Sequence, residues 1–403
     1  MRLAVLMYCC VLVFCSQAQV PNSWDSIADF PSQRTRGVGF SLLDKGYVCT
    51  GLDTADLTHN DLWEYDPVLG SWSQKASLPG APRRNAVGFT IGNFAYVGTG
   101  ADSSSAPGGQ ILKDFWKYDP VINSWSQIAD YPGGNGNGVY FAAAFSSDEK
   151  GYVIGGKLGP DTYTDQLWEY KPFQDVWAPR AAYLGGPRYQ LVSTRIGNKV
   201  IVGLGGNEDI YTKDLYAYHL ATNTWEQLGD FPSAERGGAI AYTIKNQAFI
   251  ALGTDGGYRD DVWEYNPSFD TWLNRNDYPG GGRKFCSYFV IEDSVYVGIG
   301  KSTTGKKRGF YKYIRGEAPL QLSEVELQNL QLYPNPINEN RVFVKNDKVD
   351  FITLYSIAGK EIARISKGVS GFQLPNDLNS GTYIVYLEAD TNVVSTQKIQ
   401  VLK

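Results

Sequence analysis

The sequence predicts an all-β chain: six small antiparallel sheets set radially as a β-propeller, closed by the N-terminal strand and followed by a small β-sandwich tail. Three observations predict it. First, the pattern Asp61-Leu62-Trp63-Glu64-Tyr65-Asp66-Pro67, then Ser71-Trp72-Ser73-Gln74, returns as Asp114-Phe115-Trp116-Lys117-Tyr118-Asp119-Pro120 with Ser124-Trp125-Ser126-Gln127, six times in all. A period of roughly 50 residues holding several short alternating strands marks an array of small sheets. Second, the last copy stops after Tyr313 without its Trp strand, while Pro21–Pro31 repeats Ile122–Pro132 nearly letter for letter. The N-terminal strand (residues 20–31) therefore completes the last blade, hiding the two edges that an open array leaves bare. Third, the repeat ends near residue 315, and a Pro/Glu/Leu linker (316–330) leads into about 75 residues of strands that alternate every two positions.

Taken in order, residues 1–18 read as a signal peptide: Arg2, an apolar run from Leu3 to Phe14, and Ser16-Gln17-Ala18 as a small-x-small cleavage site. Val13-Phe14 before Cys15 are too bulky for lipoprotein processing, so cleavage is expected after Ala18. Three of the five cysteines leave with that segment. Cys49 and Cys286 remain, in the first and sixth repeats, either paired across the closed ring or buried as separate thiols. No other stretch reaches 18 apolar residues, so no transmembrane segment is expected. The net charge of −5 with mixed signs argues against a nucleic-acid partner.

Within residues 19–315 each unit reads as four strands. The first is a small alternating segment such as Gly37-Val38-Gly39-Phe40. The second ends on glycine, as in Tyr47-Val48-Cys49-Thr50-Gly51 and Tyr152-Val153-Ile154-Gly155-Gly156. Glycine there permits a backbone geometry or a close approach that a β-carbon forbids. The third strand carries Trp-x-Tyr and the fourth the lone Trp. This pattern resembles the kelch repeat, with only two units keeping a full glycine pair.

In the tail, residues 331–403, the segments Tyr333-Pro334-Asn335-Pro336, Tyr355-Ser356-Ile357-Ala358-Gly359-Lys360, Gly381-Thr382-Tyr383 and Lys398–Lys403 occur in this order at the end of the chain. They resemble the C-terminal sorting domain of the type IX secretion system of Bacteroidota. The resemblance implies export through the inner membrane by the signal, then passage of the outer membrane by contact of the tail with the secretion machinery. The protein is then expected to be secreted or held at the outer-membrane surface. A second binding domain of immunoglobulin type is the alternative reading of these strands.

The propeller's chemistry is read from repeated positions. Only His59 and His219 are present, too few and too far apart for the imidazole–phenolate cluster a copper oxidase needs, and no metal or other cofactor is expected. Arg34, Arg83, Arg188, Arg236 and Arg283 recur at one position in five blades. They form either a cationic ring at one channel mouth, able to fork onto a carboxylate, or a structural device bonding backbone carbonyls between blades. Arg36 lies off that position and is the better ligand candidate. Tyr163, Tyr211 and Tyr258 share one offset in three consecutive blades, where they either stack on sugar rings or anchor a protein, or pack their loops. Asp61, Asp114, Asp214 and Asp261 recur too regularly for a site and read as turn or strand-start hydrogen bonders. The leading expectation is non-catalytic binding of a glycan or a protein through one propeller face. Two alternatives stand: a metal-free sugar isomerase resembling the sialic acid mutarotases, which needs a carboxylate facing an arginine in the channel mouth, and a structural cell-surface adhesion component.

Overall fold

The structure, a computed structural model, describes residues 22–104, 109–208, 210–267 and 270–315, and 332–402 apart from 338–340, 345–350, 357–359, 368–370 and 390–391. The expected signal peptide, the linker, Ile357-Ala358-Gly359 and Lys403 lie outside the described residues. Among those described, every regular element is a strand.

Six four-stranded antiparallel sheets form the blades. In blade 1 the order is Val38–Leu42, Lys45–Cys49, Leu62–Asp66 and Ser71–Lys75, each strand pairing with the next. Blades 2 to 5 repeat it from Val87–Ile91, Ala143–Ser146, Val192–Ile196 and Ile240–Ile244. Blade 6 takes three strands from Ser287–Ile291, Ser294–Gly298 and Phe310–Ile314, and its fourth is the N-terminal Ser23–Ile27, paired antiparallel from Ser23↔Ile314 to Ile27↔Phe310. The ring closes as the truncated sixth repeat requires.

Two repeated contacts hold neighbouring blades together. The glycine after the second strand sits at positive φ in every blade (Gly51 106°, Gly100 93°, Gly156 108°, Gly205 72°, Gly253 103°, Gly300 91°). Its N–H donates to the next blade's carbonyl at Arg83, Val139, Arg188, Arg236, Arg283 and, across the closure, Arg34, at 2.8–2.9 Å. These six bonds form one unbroken circuit. Only Gly155-Gly156 places both glycines at this corner; in Gly205-Gly206 the pair is shifted by one residue, with Leu204 at the first position.

At the rim, the fourth-strand tryptophan reaches the preceding blade. Trp72, Trp125, Trp177, Trp225 and Trp24 donate through Nε1 to the carbonyls of Ala28, Ala76, Ala129, Ala181 and Asn276, at 2.7–3.0 Å. Each such ring stacks near-perpendicular to, or packs against, an aromatic side chain, for example Trp72 on Phe30 at 5.1 Å and 87°. The tryptophans are therefore blade-to-blade packing residues.

Cys49 and Cys286 are free and buried, so the disulfide alternative does not occur. They belong to different apolar clusters, Cys49 with Val38, Phe40 and Leu62, and Cys286 with Ile240, Val262 and Val297.

The tail holds a three-stranded sheet (Leu332–Tyr333, Arg341–Val344, Phe372–Gln373) and a four-stranded one (Phe351–Ser356, Glu361–Ser366, Gly381–Ala389, Asn392–Val401). Their shared core includes Ile337, Val342, Ile352, Leu354, Phe372, Val385, Leu387 and Ile399. The Tyr333–Pro336 motif is tied in where Asn335 Oδ1 accepts the Gln400 N–H at 3.0 Å and where Tyr333 stacks on Phe343 at 5.6 Å. Gly381 and Tyr383 face Val401 and Ile399 in the register of the long hairpin, in which Lys398 pairs with Ile384.

A candidate binding face around the channel mouth

The five repeated arginines are structural. Their exposure is 2%, 0%, 6%, 0% and 4% for Arg34, Arg83, Arg188, Arg236 and Arg283. Each donates through Nη1 to the carbonyl at the end of its own blade's second strand, at Thr50, Thr99, Leu204, Leu252 or Ile299. In four blades the guanidinium also forks onto the repeated aspartate: Arg34 onto Asp61, Arg83 onto Asp114, Arg188 onto Asp214 and Arg236 onto Asp261. In three of these the same carboxylate accepts the third-strand tryptophan, from Trp63 at 2.8 Å, Trp116 at 2.6 Å and Trp263 at 2.8 Å.

This corrects two expectations. The arginine side chains clamp their own blade and not the next, and the aspartates are their partners and not strand-start capping residues. Blade 3 supports the pairing from within the chain. Val139 stands at its arginine position and Gln166 at its aspartate position, where Gln166 Oε1 still accepts Trp168 Nε1 at 3.2 Å. In blade 3 the charge is lost on both sides together, whereas in blade 6 Arg283 remains with Gly309 at the aspartate position and is met instead by the carbonyls of Gly280, Ile299 and Gly309. All four aspartates titrate below the usual carboxylate range. Burial by itself raises them, but the hydrogen bonds and charge of the arginine outweigh it.

Two residues after each clamp position lies the mouth of the central channel. Its ring is Arg36, Asn85, Phe141, Gln190, Gly238 and Phe285, one per blade. All six have φ between 53° and 63°, and five are not glycine. A left-handed backbone at non-glycine residues is held only where surroundings impose it, and it is found disproportionately at functional sites. Here the imposing contact is a second series of inter-blade hydrogen bonds, linking five of the six neighbouring pairs: Arg36 N–H to Phe285 O, Asn85 to Arg36, Phe141 to Asn85, Gln190 to Phe141 and Phe285 to Gly238, at 2.9–3.2 Å. Arg36 thus stands at a shared position of its own, which its offset from the buried arginines did not reveal.

The mouth is spanned by aromatic side chains and bordered by cations. Phe141 and Phe285, from the opposite blades 3 and 6, meet across the opening at 5.4 Å, Phe141 continues to Tyr189 at 5.8 Å, and Tyr189 stacks on Tyr163 at 5.3 Å. Lys157 Nζ lies 5.2 Å from the Tyr163 ring and 4.7 Å from that of Tyr189. The Arg36 guanidinium lies over both phenylalanines, at 5.3 and 5.0 Å. Beside the mouth the surface is cationic: Arg36 also lines a neighbouring pocket with Arg84, Lys301 and Lys306, and Lys284 feels the charge of Arg36 and Lys301. Among the described residues Arg36 makes no side-chain hydrogen bond or ion pair. Its pKa is lowered to about 10, first by burial and then by Arg84. Lys284 is also lowered, by burial, Arg36 and Lys301. Asn85 Nδ2 and Gln190 Oε1 are buried in the mouth without a hydrogen-bond partner among the described residues.

The three tyrosines occupy equivalent loops, and each leans toward the next blade. Tyr163 packs on Tyr189, the Tyr211 ring covers Gly237, and Tyr258 lies beneath Lys284 at 5.5 Å. All are half-buried. Tyr163 joins the mouth's aromatic side chains through Tyr189 and Phe141, whereas no such ring contact links Tyr211 or Tyr258 to them among the described residues.

His59 sits in the loop after blade 1's second strand with Nε2 2.9 Å from Asp53. His219 ends blade 4's third strand, 3.0 Å from Glu226. Among the described residues no three His, Cys, Asp or Glu side chains gather into a metal-sized cluster, and no helix is long and apolar enough to cross a membrane.

With this geometry in view, the chain can be compared with known proteins. Residues 133–300 match the KLHDC2/KLHL20/DRC7 Kelch-repeats domain, and residues 331–402 match the secretion system C-terminal sorting domain. Kelch-like protein 25 of Xenopus tropicalis is 26% identical over 239 residues, covering 58% of this chain and 39% of the relative. N-acetylneuraminate epimerase of Pasteurella multocida (strain Pm70) is 26% identical over 229 residues, covering 56% of this chain and 53% of that enzyme. The chain thus spans about two fifths to one half of the length of these relatives. The solved structure of YjhT superposes with a TM-score of 0.59 at 18% identity, covering 70% of this chain and 96% of that one, which supports the fold.

Proposed function

Because this chain is a kelch-repeat propeller protein with a C-terminal secretion-system sorting domain, we propose that it is exported by that domain. We further propose that it acts outside the cell as a non-catalytic binding module, using the face around the channel mouth. The observation that carries this reading is the mouth ring. Five non-glycine residues are held left-handed and joined by inter-blade hydrogen bonds, and they present to one opening a guanidinium with no ion-pair partner among the described residues, two phenylalanines and the unmet Asn85 Nδ2 and Gln190 Oε1. A stacked aromatic surface suits the apolar faces of sugar rings, and the unmet amide donor and acceptor suit hydroxyls. Tyr163 extends that surface; Tyr211 and Tyr258 border it.

The epimerase relatives make sugar isomerisation the second reading. Proton transfer at a sugar carbon needs an acid or base within hydrogen-bond reach. Among the described residues lining the mouth there is no Asp or Glu, and this favours binding over catalysis. A glycan array probed with the full chain and with variants Phe141→Ala and Tyr163→Ala/Tyr211→Ala/Tyr258→Ala tests the reading. Binding of a defined glycan class that Phe141→Ala loses supports it; the absence of any glycan binding overturns it in favour of a protein partner or a surface-structural role. Mutarotation of a sugar substrate faster than the buffer rate would restore the enzyme.

A further inference from the structure

Beside the mouth, on the same face, lies a second pocket between blades 1, 2 and 6. It is lined by Thr35, Arg36, Leu52, Asp56, Arg84, Ser103, Ser104, Gly109, Lys301 and Lys306. Four of these side chains are cationic and one is a carboxylate. That carboxylate is already committed: Asp56 pairs with Lys306, whose Nζ also bonds the Asp53 carbonyl. Neither Arg36 nor Lys301 has an ion-pair partner among the described residues, and the neighbouring Lys284 has none either. Surplus like charge gathered in one concavity opposes folding and is relieved when an anion enters.

The pocket also offers neutral donors of the right kind. Ser103 shares a hydrogen bond with Thr58 at 3.1 Å, and Ser104 Oγ accepts the Gln110 N–H at 3.0 Å, leaving its own O–H to give. Arg36 lines both this pocket and the mouth, so a ligand held over Phe141 and Phe285 continues directly into the cationic side. Guanidinium groups fork onto planar or tetrahedral oxyanions, and a hydroxyl adds a further donor.

We infer that the pocket between blades 1, 2 and 6 is an oxyanion subsite, which receives a carboxylate or sulfate group of an anionic polysaccharide whose sugar rings lie on the aromatic side chains across the mouth. This inference rests on the binding reading above and narrows its ligand class. The partner is a glycan, because the charged pocket adjoins a stacked aromatic surface of half-buried rings and not an extended apolar groove.

The test uses the full chain with three immobilised probes: polygalacturonate, dextran sulfate and dextran. The first two separate carboxylate from sulfate, and the third is the neutral reference. The expected result is retention on at least one anionic polymer well above dextran, weakened as ionic strength rises past the Debye regime of about 10 Å at 0.1 M. Arg84→Glu/Lys301→Glu should lose on the order of tenfold in affinity, while Lys171→Glu, outside the pocket, keeps it. Lys301→Glu alone, at an exposed position, covers the case in which the double variant fails to fold. In the unmutated chain, inorganic sulfate should compete at matched ionic strength where chloride does not. Equal retention on dextran and on both anionic polymers, or undiminished affinity of a folded charge-reversal variant, overturns the subsite. If dextran or another neutral glycan still binds and Phe141→Ala abolishes it, the mouth reading survives that failure; if no glycan binds at all, both fall together.

Discussion

Replacing Arg236 by Met tests the clamp and the binding mouth against each other, because Arg36→Met is its matched control. Arg236 is fully buried. Its guanidinium bonds Ala234 O at 3.2 Å, Leu252 O at 3.0 Å, Ser233 Oγ and both oxygens of Asp261, and it lies 5.0 Å from the Phe231 ring. Methionine fills much of the volume but leaves the Asp261 carboxylate, itself only 17% exposed, without its counter-charge. Removing one partner of a buried pair costs about 3–5 kcal/mol, most of it the uncompensated charge left behind. Arg36 loses only two ring contacts when changed to Met, about 1 kcal/mol in sum. Urea unfolding followed by tryptophan fluorescence reads both. The expected outcome is a large fall in midpoint for Arg236→Met and a small one for Arg36→Met. Equal midpoints for the two variants would refute the division of the arginines into clamps and a mouth residue.

Three further outcomes follow from the same contacts. Asp61, Asp114, Asp214 and Asp261 all have folded pKa values below their unfolded ones. Their stabilisation is therefore present above about pH 4 and is lost as pH falls through the lower folded values; the urea midpoint should drop in acid, and less so in Arg236→Met. Burial pushes the Cys286 thiol up to about 12 and the Cys49 thiol higher still, so a thiol reagent at pH 8 should label neither in the folded protein and both in urea. Trp24 closes the ring through its Asn276 bond and its contacts with Tyr278 and Tyr313 at 5.2 and 5.0 Å; Trp24→Ala should cost about 3 kcal/mol, and deletion of residues 22–27 should cost more, while unchanged melting would contradict closure by this strand.

Much of the architecture follows from the sequence alone. The repeat sets the number of blades, because each unit's apolar face can be buried only against a neighbour of the same kind. The orphaned Trp24 segment sets the closure, because the sixth unit lacks that strand. The tail could be read from ordered motifs at the end of the chain, and its alternation does form the two small sheets seen.

The tertiary structure decided what the repeated charges do. Arg236 and Asp261 are 25 residues apart and look like two separate repeats until the blade brings their side chains into one clamp. The signal was present in blade 3, where Val139 and Gln166 replace both members at once, but a single such unit carries weight only when the contact is known. Arg36 is a different case. Arg36, Asn85, Phe141, Gln190, Gly238 and Phe285 share an offset of two residues from the clamp positions, but their side chains share no chemistry, so the offset by itself does not mark them as a site. They are equivalent through backbone conformation and a series of inter-blade hydrogen bonds, and those are properties of the closed ring rather than of any one repeat.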